Sequence, residues 1–304
     1  MSNSDLSGII SAVTTPVTET FDIDGGRLAQ HCERLLNSGC SFVSTFGTTG
    51  EGASLSSAQK IPAMRALKAA GAEMSRHIPS VMTPTADEAG AMIAAAAELG
   101  CRGVLVLPPF YYDFASDDGI VAFIDEAMRR AGRPDIDILL YNIPRFSRFT
   151  YTPELIDMLV AKFGSAIVGL KDSTGVAENG KMLAQRYPDL SIFTGDDRVM
   201  PSLVQAGGAG MIGGMPNVFS ADLRKIFEAP GAAETEDLRK RAGQRIVTVD
   251  GNGSMLALKA TLAAVYDDPS WARAVPPLVG LNAAQTATVL SEFAETGFVP
   301  TKAA

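Results

Sequence analysis

Lys171 is the residue whose type and position most clearly suggest chemistry. It ends the apolar run Ile167-Val168-Gly169-Leu170-Lys171, and a polar loop begins directly at Asp172. Such a run predicts a buried strand, so the lysine at its carboxyl end is expected to point into the protein interior. Desolvation disfavours the charged form of a lysine, and a free amine attacks a ketone to form a Schiff base. The alternative is a lysine that reaches water or pairs with Asp172.

Two further segments carry groups suited to a small anionic substrate. Gly47-Thr48-Thr49-Gly50 brings two hydroxyls and successive backbone N–H groups into a tight loop, which is an arrangement that binds a carboxylate. A glycine-rich turn shaped only for packing is the alternative. Tyr141 ends another apolar run, where its phenol would either relay protons or cap the core with its hydroxyl.

The elements that must position these groups alternate between short apolar runs and longer amphipathic segments. The apolar runs predict eight buried strands, at residues 9–13, 42–46, 78–83, 103–107, 136–141, 167–171, 191–194 and 210–213. The amphipathic segments predict helices at residues 26–38, 57–70, 87–99, 118–131, 153–163, 176–187 and 200–206. Since no GxGxxG turn follows the first strand, the repeats favour a closed (β/α)8 barrel over an open doubly wound sheet.

The alternation predicts two parts of the chain. Residues 1–230 form the catalytic barrel, and residues 231–304 form a helical segment packed on it, with helices at 234–248, 255–266 and 283–295. Active sites in such barrels lie at the carboxyl ends of the strands, where all three candidate segments fall. Because side chains two apart share a strand face, Lys171 is expected beside Gly169 and Ile167, opposite Leu170 and Val168. Lys171 is also the single lysine predicted to lie in a strand, which favours the catalytic interpretation.

Composition excludes several other classes of protein. The chain has 304 residues, 46% of them hydrophobic, which is enough for a large core. Its formal net charge of -8 argues against binding to nucleic acid or to an anionic membrane surface, and its apolar stretches are too short to span a bilayer. The start Met1-Ser2-Asn3-Ser4-Asp5 lacks the features of a signal peptide, and the three cysteines are sparse and scattered. A cytoplasmic protein is therefore expected.

Metal-dependent and serine-hydrolase mechanisms are poorly supported by the sequence. The chain has two histidines, His31 and His77, and neither falls at a predicted strand end where the polar segments gather. A catalytic zinc site usually takes several His or Cys ligands, and a Ser-His-Asp triad needs a histidine beside the nucleophile. No metal and no cofactor are therefore expected.

Three segments together resemble one known family. They read Gly47-Thr48-Thr49-Gly50-Glu51, Tyr141-Asn142-Ile143-Pro144 and Gly169-Leu170-Lys171-Asp172-Ser173-Thr174. In their order and spacing the chain resembles the dihydrodipicolinate synthase / N-acetylneuraminate lyase family, from about Gly8 to the C-terminal helices. The resemblance implies a (β/α)8 barrel with a C-terminal helical extension, a homotetramer built as a dimer of dimers, and a class I mechanism without a metal.

The resemblance also implies roles for individual residues. Lys171 would form the Schiff base with pyruvate or with a 2-keto acid, and Tyr141 would shuttle the proton. Thr48 and Thr49, next to Gly47, would hold the pyruvate carboxylate largely through backbone N–H groups. A tyrosine from the neighbouring subunit, matching Tyr112 or Tyr111, would complete the proton relay. Two positions would line the pocket through backbone atoms, namely Gly195 and Ile212.

Departures from the family pattern concern the second substrate. Dihydrodipicolinate synthases carry an arginine for the carboxylate of aspartate semialdehyde where this chain has Phe146, and Arg145 or Arg148 would have to compensate. The sugar-binding Gly-x-Asp-Glu of the sialic acid lyase branch reads Gly195-Asp196-Asp197-Arg198 here. A polar pocket formed with Ser173, Asp196, Asp197 and Arg198 suits a hydroxylated 2-keto acid shorter than sialic acid.

The leading hypothesis is therefore a pyruvate-dependent aldolase or lyase that splits a 2-keto-3-deoxy sugar acid into pyruvate and an aldehyde. The alternatives are 4-hydroxy-tetrahydrodipicolinate synthase with a displaced arginine, and a dehydratase that uses the same Schiff base. From a different class, an inactive relative could bind keto acids as a sensor. A sensor has no need of a nucleophile with a proton relay, so Lys171, Tyr141 and Thr48 favour an enzyme.

Overall fold

The computed structural model describes residues 6–300, and its centre is a barrel of eight parallel strands. Met1–Asp5 and Lys302 lie outside the described part. The expectation of a cytoplasmic protein rests partly on Met1–Asp5. The strands are β1 Gly8–Ala12, β2 Phe42–Ser44, β3 Ser80–Val81, β4 Gly103–Val106, β5 Asp137–Asn142, β6 Ile167–Asp172, β7 Ser191–Thr194 and β8 Gly210–Gly213. They pair in the order β2-β1-β8-β7-β6-β5-β4-β3. Backbone bonds from Ile78 N to Val43 O (2.9 Å) and from Ser80 N to Thr45 O (2.8 Å) join the two ends.

Helices follow the strands and cover the outside of the barrel. They are α1 Gly25–Asn37, α2 Ser57–Ala69, α3 Ala86–Leu99, α4 Asp117–Arg130, α5 Pro144–Ser147, α6 Pro153–Phe163, α7 Ala177–Arg186, α8 Met200–Gln205, α9 Pro216–Glu228, α10 Glu236–Gly251, α11 Met255–Tyr266 and α12 Ala283–Glu295. The (β/α)8 barrel with C-terminal helices is confirmed. None of the described helices is both long enough and apolar enough to cross a membrane.

Most predicted elements are found within one or two residues of their expected bounds, but helix α10 ends three residues later than expected, and helices α5 and α9 are additional. Helix α9 was not predicted, although Pro216 stands at its first turn, where a proline favours helix initiation. Strand β3 covers only Ser80–Val81 of the expected 78–83, because Pro79 and Pro84 lack the N–H donors that a sheet ladder needs.

Strand β6 departs from regular alternation, which corrects one expectation about the neighbours of Lys171. Ile138 pairs with Ile167, but Leu139 pairs with Gly169, so Val168 is an extra residue in a β-bulge. Val168 consequently packs in the cluster inside the barrel, while Ile167 packs in the cluster under the helices. The prediction that Ile167 shares the face of Lys171 and Val168 opposes it is therefore wrong.

A buried polar network fastens the C-terminal helices to the barrel. His31 of α1 is fully buried; its Nε2–H donates to Asn217 Oδ1 (2.9 Å), and its Nδ1 accepts from the Tyr266 hydroxyl (2.8 Å). The Asn217 amide donates in turn to the backbone oxygens of Ala12 (2.8 Å) and Gly214 (2.7 Å). Burial lowers the pKa of His31 to about 3, with the Arg34 cation contributing. The network therefore requires a neutral imidazole.

This requirement predicts an acid-dependent loss of stability. Between the ordinary imidazole pKa of 6.5 and the folded value of about 3, the unfolded chain binds a proton that the folded chain does not. Stability from His31 is thus complete above pH 6.5 and is lost as the pH falls, by about 1.4 kcal/mol per pH unit. Urea unfolding at several values between pH 6.5 and 4 should give a steeper loss for the wild type than for His31→Gln. Parallel profiles would contradict this account.

Candidate active site

The amine of Lys171 lies inside the barrel without a carboxylate partner. Lys171 is 5% exposed, and its Nζ is 4.0 Å from the centroid of the Tyr141 ring, its neighbour in the β5–β6 ladder. Asp172 is engaged elsewhere, because its carboxylate accepts from the amides of Asn142 (2.9 Å) and Asn179 (3.0 Å) and from the Thr174 hydroxyl (2.8 Å). Within residues 6–300, no carboxylate forms an ion pair with Lys171. Pairing with Asp172, the alternative from the sequence, is therefore not found.

Tyr141 and Thr48 form a hydroxyl pair beside this amine. Tyr141 is buried at the end of β5, and its hydroxyl lies 3.0 Å from Thr48 Oγ1 in the loop after β2. Either oxygen can donate, so the pair can pass a proton in both directions. The three residues come from β2, β5 and β6, whose carboxyl ends meet at one mouth of the barrel.

The loop after β2 is tightly turned and leaves two amides available. The N–H groups of Gly50 and Gly52 donate to Gly47 O (3.1 and 2.9 Å), and that of Glu51 donates to Thr48 O (3.1 Å). A side chain at Gly52 would collide with the backbone of Phe46, so only glycine fits there. In the described part of the chain, no acceptor is bonded to the N–H of Thr48 or Thr49. Successive unpaired amides of this kind suit a carboxylate.

The neighbouring strand ends close around Lys171. A Cβ at Gly195 would lie 2.4 Å from Ser173 Oγ and 3.6 Å from Lys171 Cε, so the backbone after β7 approaches the lysine because it carries no side chain. Ile212 of β8 is fully buried in the inner cluster that also contains Tyr141. The structure therefore brings Gly195, Ser173 and Ile212 together with Lys171 and Tyr141.

Asp197 and Arg198 are placed differently. Arg198 is half exposed, and its Nη2 donates to the Asp196 carboxylate (2.6 Å). Asp197 and Arg198 line a cavity of about 390 Å³ together with Pro201 and Gln205. Asp197 is buried, and its Oδ1 has no hydrogen-bond partner among residues 6–300. Burial raises the pKa of its carboxyl, and the Asp196 charge adds to this shift. Lys171, Tyr141 and Thr48 do not line that cavity. A substrate contact for Asp197 or Arg198 stays a prediction.

Tyr112, the remaining predicted site residue, lies on an exposed aromatic patch. Tyr112 is 58% exposed, and its ring centroid lies 5.2 Å from that of Tyr111 and 5.6 Å from that of Phe114. These aromatic side chains follow β4 and lie outside the inner cluster. No cluster of three or more potential metal-ligating side chains occurs among residues 6–300.

A buried ion pair that the sequence analysis missed supports the carboxylate-binding loop. Glu51 and Lys259 of α11 form a salt bridge with both side chains fully buried. Val275 N donates to Glu51 Oε1 (2.7 Å), and Lys259 Nζ donates to Arg273 O (2.6 Å). Burial lowers the pKa of Lys259, and the Glu51 carboxylate opposes that shift. Lys259 is the single charged residue of the mostly apolar helix Met255–Tyr266, and this is the sequence signal that could have revealed the pair.

Breaking the pair from either side should destabilise the protein strongly. Glu51→Gln or Lys259→Met leaves one buried charge without a partner, which costs about 3–5 kcal/mol, whereas the double variant should lose less than the sum. The exposed Lys240→Met on α10 is the matched control and should leave the free energy of unfolding nearly unchanged. Chemical denaturation measures all four variants, and additive losses would show that the two side chains act independently.

Comparison with known proteins relates this site to one family. A model of the Dihydrodipicolinate synthetase family matches residues 5–288. An uncharacterized DapA-like lyase of Chloroflexus aurantiacus is 34% identical over 275 residues, which are 89% of this chain and 91% of the relative.

Solved structures give the same result for the fold. The dihydrodipicolinate synthase of Agrobacterium tumefaciens is 30% identical, with a TM-score of 0.87 over 95% of this chain and 99% of that chain. A sialic acid aldolase of Ruminococcus gnavus, solved as a catalytic lysine mutant, has the same fold at 18% identity, with a TM-score of 0.87 over 98% of each chain. The family resemblance inferred from the three sequence segments is confirmed: this chain belongs to the dihydrodipicolinate synthetase family.

Proposed function

We propose that the protein is a pyruvate-dependent Schiff-base lyase that splits or forms a carbon–carbon bond of a 2-keto acid. Membership in a family of synthases and aldolases supports a lyase. The observation that carries the proposal is the buried Lys171 amine, which has no carboxylate partner among residues 6–300 and lies 4.0 Å from the Tyr141 ring centroid. A purely structural buried lysine would be expected to have a counter-charge, as Lys259 does.

The reaction would begin at the pyruvate carbonyl. The Lys171 amine attacks C2 to give a carbinolamine, and loss of water gives the protonated imine. The Tyr141 hydroxyl, paired with Thr48 Oγ1 at 3.0 Å, supplies and removes the protons of these steps. The N–H groups of Thr48 and Thr49 hold the carboxylate, which fixes C2 over the amine. Loss of a C3 proton then gives the enamine that reacts with the aldehyde.

The proton relay would be completed by another copy of the chain. Tyr111 and Tyr112 are 78% and 58% exposed, beside Phe114 at 81%. Single chains rarely expose neighbouring aromatic rings unless these form an interaction surface. We include in the proposal the homotetramer that the family resemblance implies, with Tyr112 or Tyr111 reaching a neighbouring site.

The choice of the second substrate rests on different residues. Asp197 and Arg198 favour a 2-keto-3-deoxy sugar acid on the basis of the sequence. Against this, the cavity that they line does not include Thr48, Tyr141 or Lys171. A 4-hydroxy-tetrahydrodipicolinate synthase is favoured by the 30% identity to the A. tumefaciens enzyme. It is disfavoured by Phe146, which lines the cavity at Thr48 in place of the expected arginine. The pyruvate half of the reaction is common to both.

Trapping with borohydride tests the Schiff base directly. Incubation with pyruvate followed by reduction should add one reduced pyruvate to Lys171 in the wild type and in Lys181→Ala, a control on the surface of α7. Lys171→Ala should fold and carry no adduct. Peptide mass mapping gives the position, and an adduct at another lysine, or none in the wild type, overturns the proposal.

Hydrogen–deuterium exchange at pyruvate C3 tests the relay without requiring the aldehyde. Tyr141→Phe keeps the ring under the Lys171 amine but removes the hydroxyl, and the exchange rate should fall by about 10²–10⁴-fold. Thr48→Val, which removes the hydroxyl partner, should give a smaller decrease. NMR in D₂O follows the methyl signal, and an unchanged rate in Tyr141→Phe would exclude its phenol from proton transfer.

A further inference from the structure

A cavity beside Thr48 is where the second substrate would lie. Its volume is about 240 Å³, which is below the ~300–1,000 Å³ of pockets for drug-sized ligands and suits a small molecule. It is lined by Thr48, whose hydroxyl is 3.0 Å from that of Tyr141. An aldehyde that reacts with an enamine on Lys171 would therefore have this cavity available for its carbon chain.

The walls of this cavity are apolar on several sides. Met82 and Leu107 belong to the inner barrel cluster, and Phe110 packs against that cluster. Further walls come from Phe146 on α5 and from Met255 and Leu278 of the C-terminal part of the chain. Two aromatic rings and two flexible thioethers suit a flat ring or a branched alkyl group.

Few polar groups of the cavity are available to a substrate. Glu51 lines it, but its carboxylate is committed to Lys259 and to the N–H of Val275. The other polar side chains of the lining are the hydroxyls of Thr48 and Ser54. A sugar-derived aldehyde carries several hydroxyls, and each one buried without a partner weakens binding by about 10-fold or more.

We propose that the aldehyde partner of this enzyme is apolar, with an aromatic or branched alkyl group that occupies the cavity between Phe146 and Met255. This inference rests on the proposed function and specifies its second substrate. In the direction of synthesis, pyruvate loses a C3 proton, and C3 forms a bond to the aldehyde carbon. The aldehyde oxygen gains a proton, and the water released on imine formation is used again in hydrolysis. The product is a 4-hydroxy-2-keto acid with an apolar substituent at C4.

Rates with matched aldehydes test the specificity. Pyruvate is supplied with benzaldehyde or 3-methylbutanal, and separately with D-glyceraldehyde or L-aspartate semialdehyde. The kcat/KM for the better apolar aldehyde should exceed that for either polar aldehyde by at least about 10-fold. An equal or reversed preference overturns the inference. It is also overturned if the enzyme forms the Lys171 adduct with pyruvate but turns over none of the four aldehydes.

Variants then locate the preference in the cavity. Phe146→Ser at the half-exposed rim and Met255→Gln should each lower kcat/KM for the apolar aldehyde by about 10-fold, with little change for glyceraldehyde. Met182→Gln on α7 is the matched control outside the cavity and should leave both rates unchanged. Pyruvate C3 exchange is measured in every variant, so a damaged pyruvate site is recognised separately.

Two results for the variants would contradict the inference. If Arg198→Glu shifts the aldehyde preference while Phe146→Ser does not, the second substrate lies with Arg198 and is polar. If neither cavity variant affects any aldehyde, the apolar walls serve packing instead of recognition. Absence of the Lys171 adduct in the wild type would be a different failure, because it removes the proposed function itself.

Discussion

The structure is organised around the Lys171 amine, which lies in the barrel interior and has no paired carboxylate in the part of the chain that the structure describes. Placing an amine there is costly, and the usual remedy is an adjacent carboxylate, as Glu51 provides for Lys259. At Lys171 the nearby carboxylate of Asp172 instead accepts hydrogen bonds from Asn142, Asn179 and Thr174. The fold thus keeps an anion away from the amine and places a phenol ring against it. That arrangement leaves the nitrogen available for the proposed Schiff base.

The C-terminal helices contribute to this site although they lie outside the barrel. Lys259 on α11 holds Glu51, and Glu51 ends the loop that carries Thr48. Tyr266, at the end of the same helix, completes the network of His31 and Asn217 that reaches the strand ends of β1 and β8. Both contacts are buried and directional, so they fix the loops on either side of the barrel mouth. The appended segment is therefore part of the support of the site.

Much of this architecture could be predicted from sequence because its signals are local. Short apolar runs bounded by glycine and proline gave the strands, and the lone strand lysine gave the central residue of the site. The bulge at Val168 could not be predicted, since it depends on the register that β5 imposes on β6. The Glu51–Lys259 pair joins residues 208 positions apart, a distance over which neither local propensity nor periodicity carries information. Asp197 and Arg198 were expected at the substrate from the family pattern Gly-x-Asp-Glu; they line a cavity with Pro201 and Gln205, and their contact with a substrate stays a prediction.

The two halves of the candidate site differ in the physics of their recognition. Amides and hydroxyls that converge near Lys171 suit one small carboxylate with fixed geometry, and misplacement of any of them would be costly. The cavity beyond Thr48 is formed by residues that follow β2, β3 and β4, by Phe146 on α5 and by the C-terminal segment, and its surface is adaptable. A hydrophobic wall rejects an added hydroxyl by up to about 10²-fold, whereas a site built to bond a hydroxyl rejects a substrate that lacks it by about 10⁴–10⁵-fold. The proposed pyruvate half is thus constrained by the fold, and in this proposal the specificity for the aldehyde can change through single side chains such as Phe146 without disturbing Lys171.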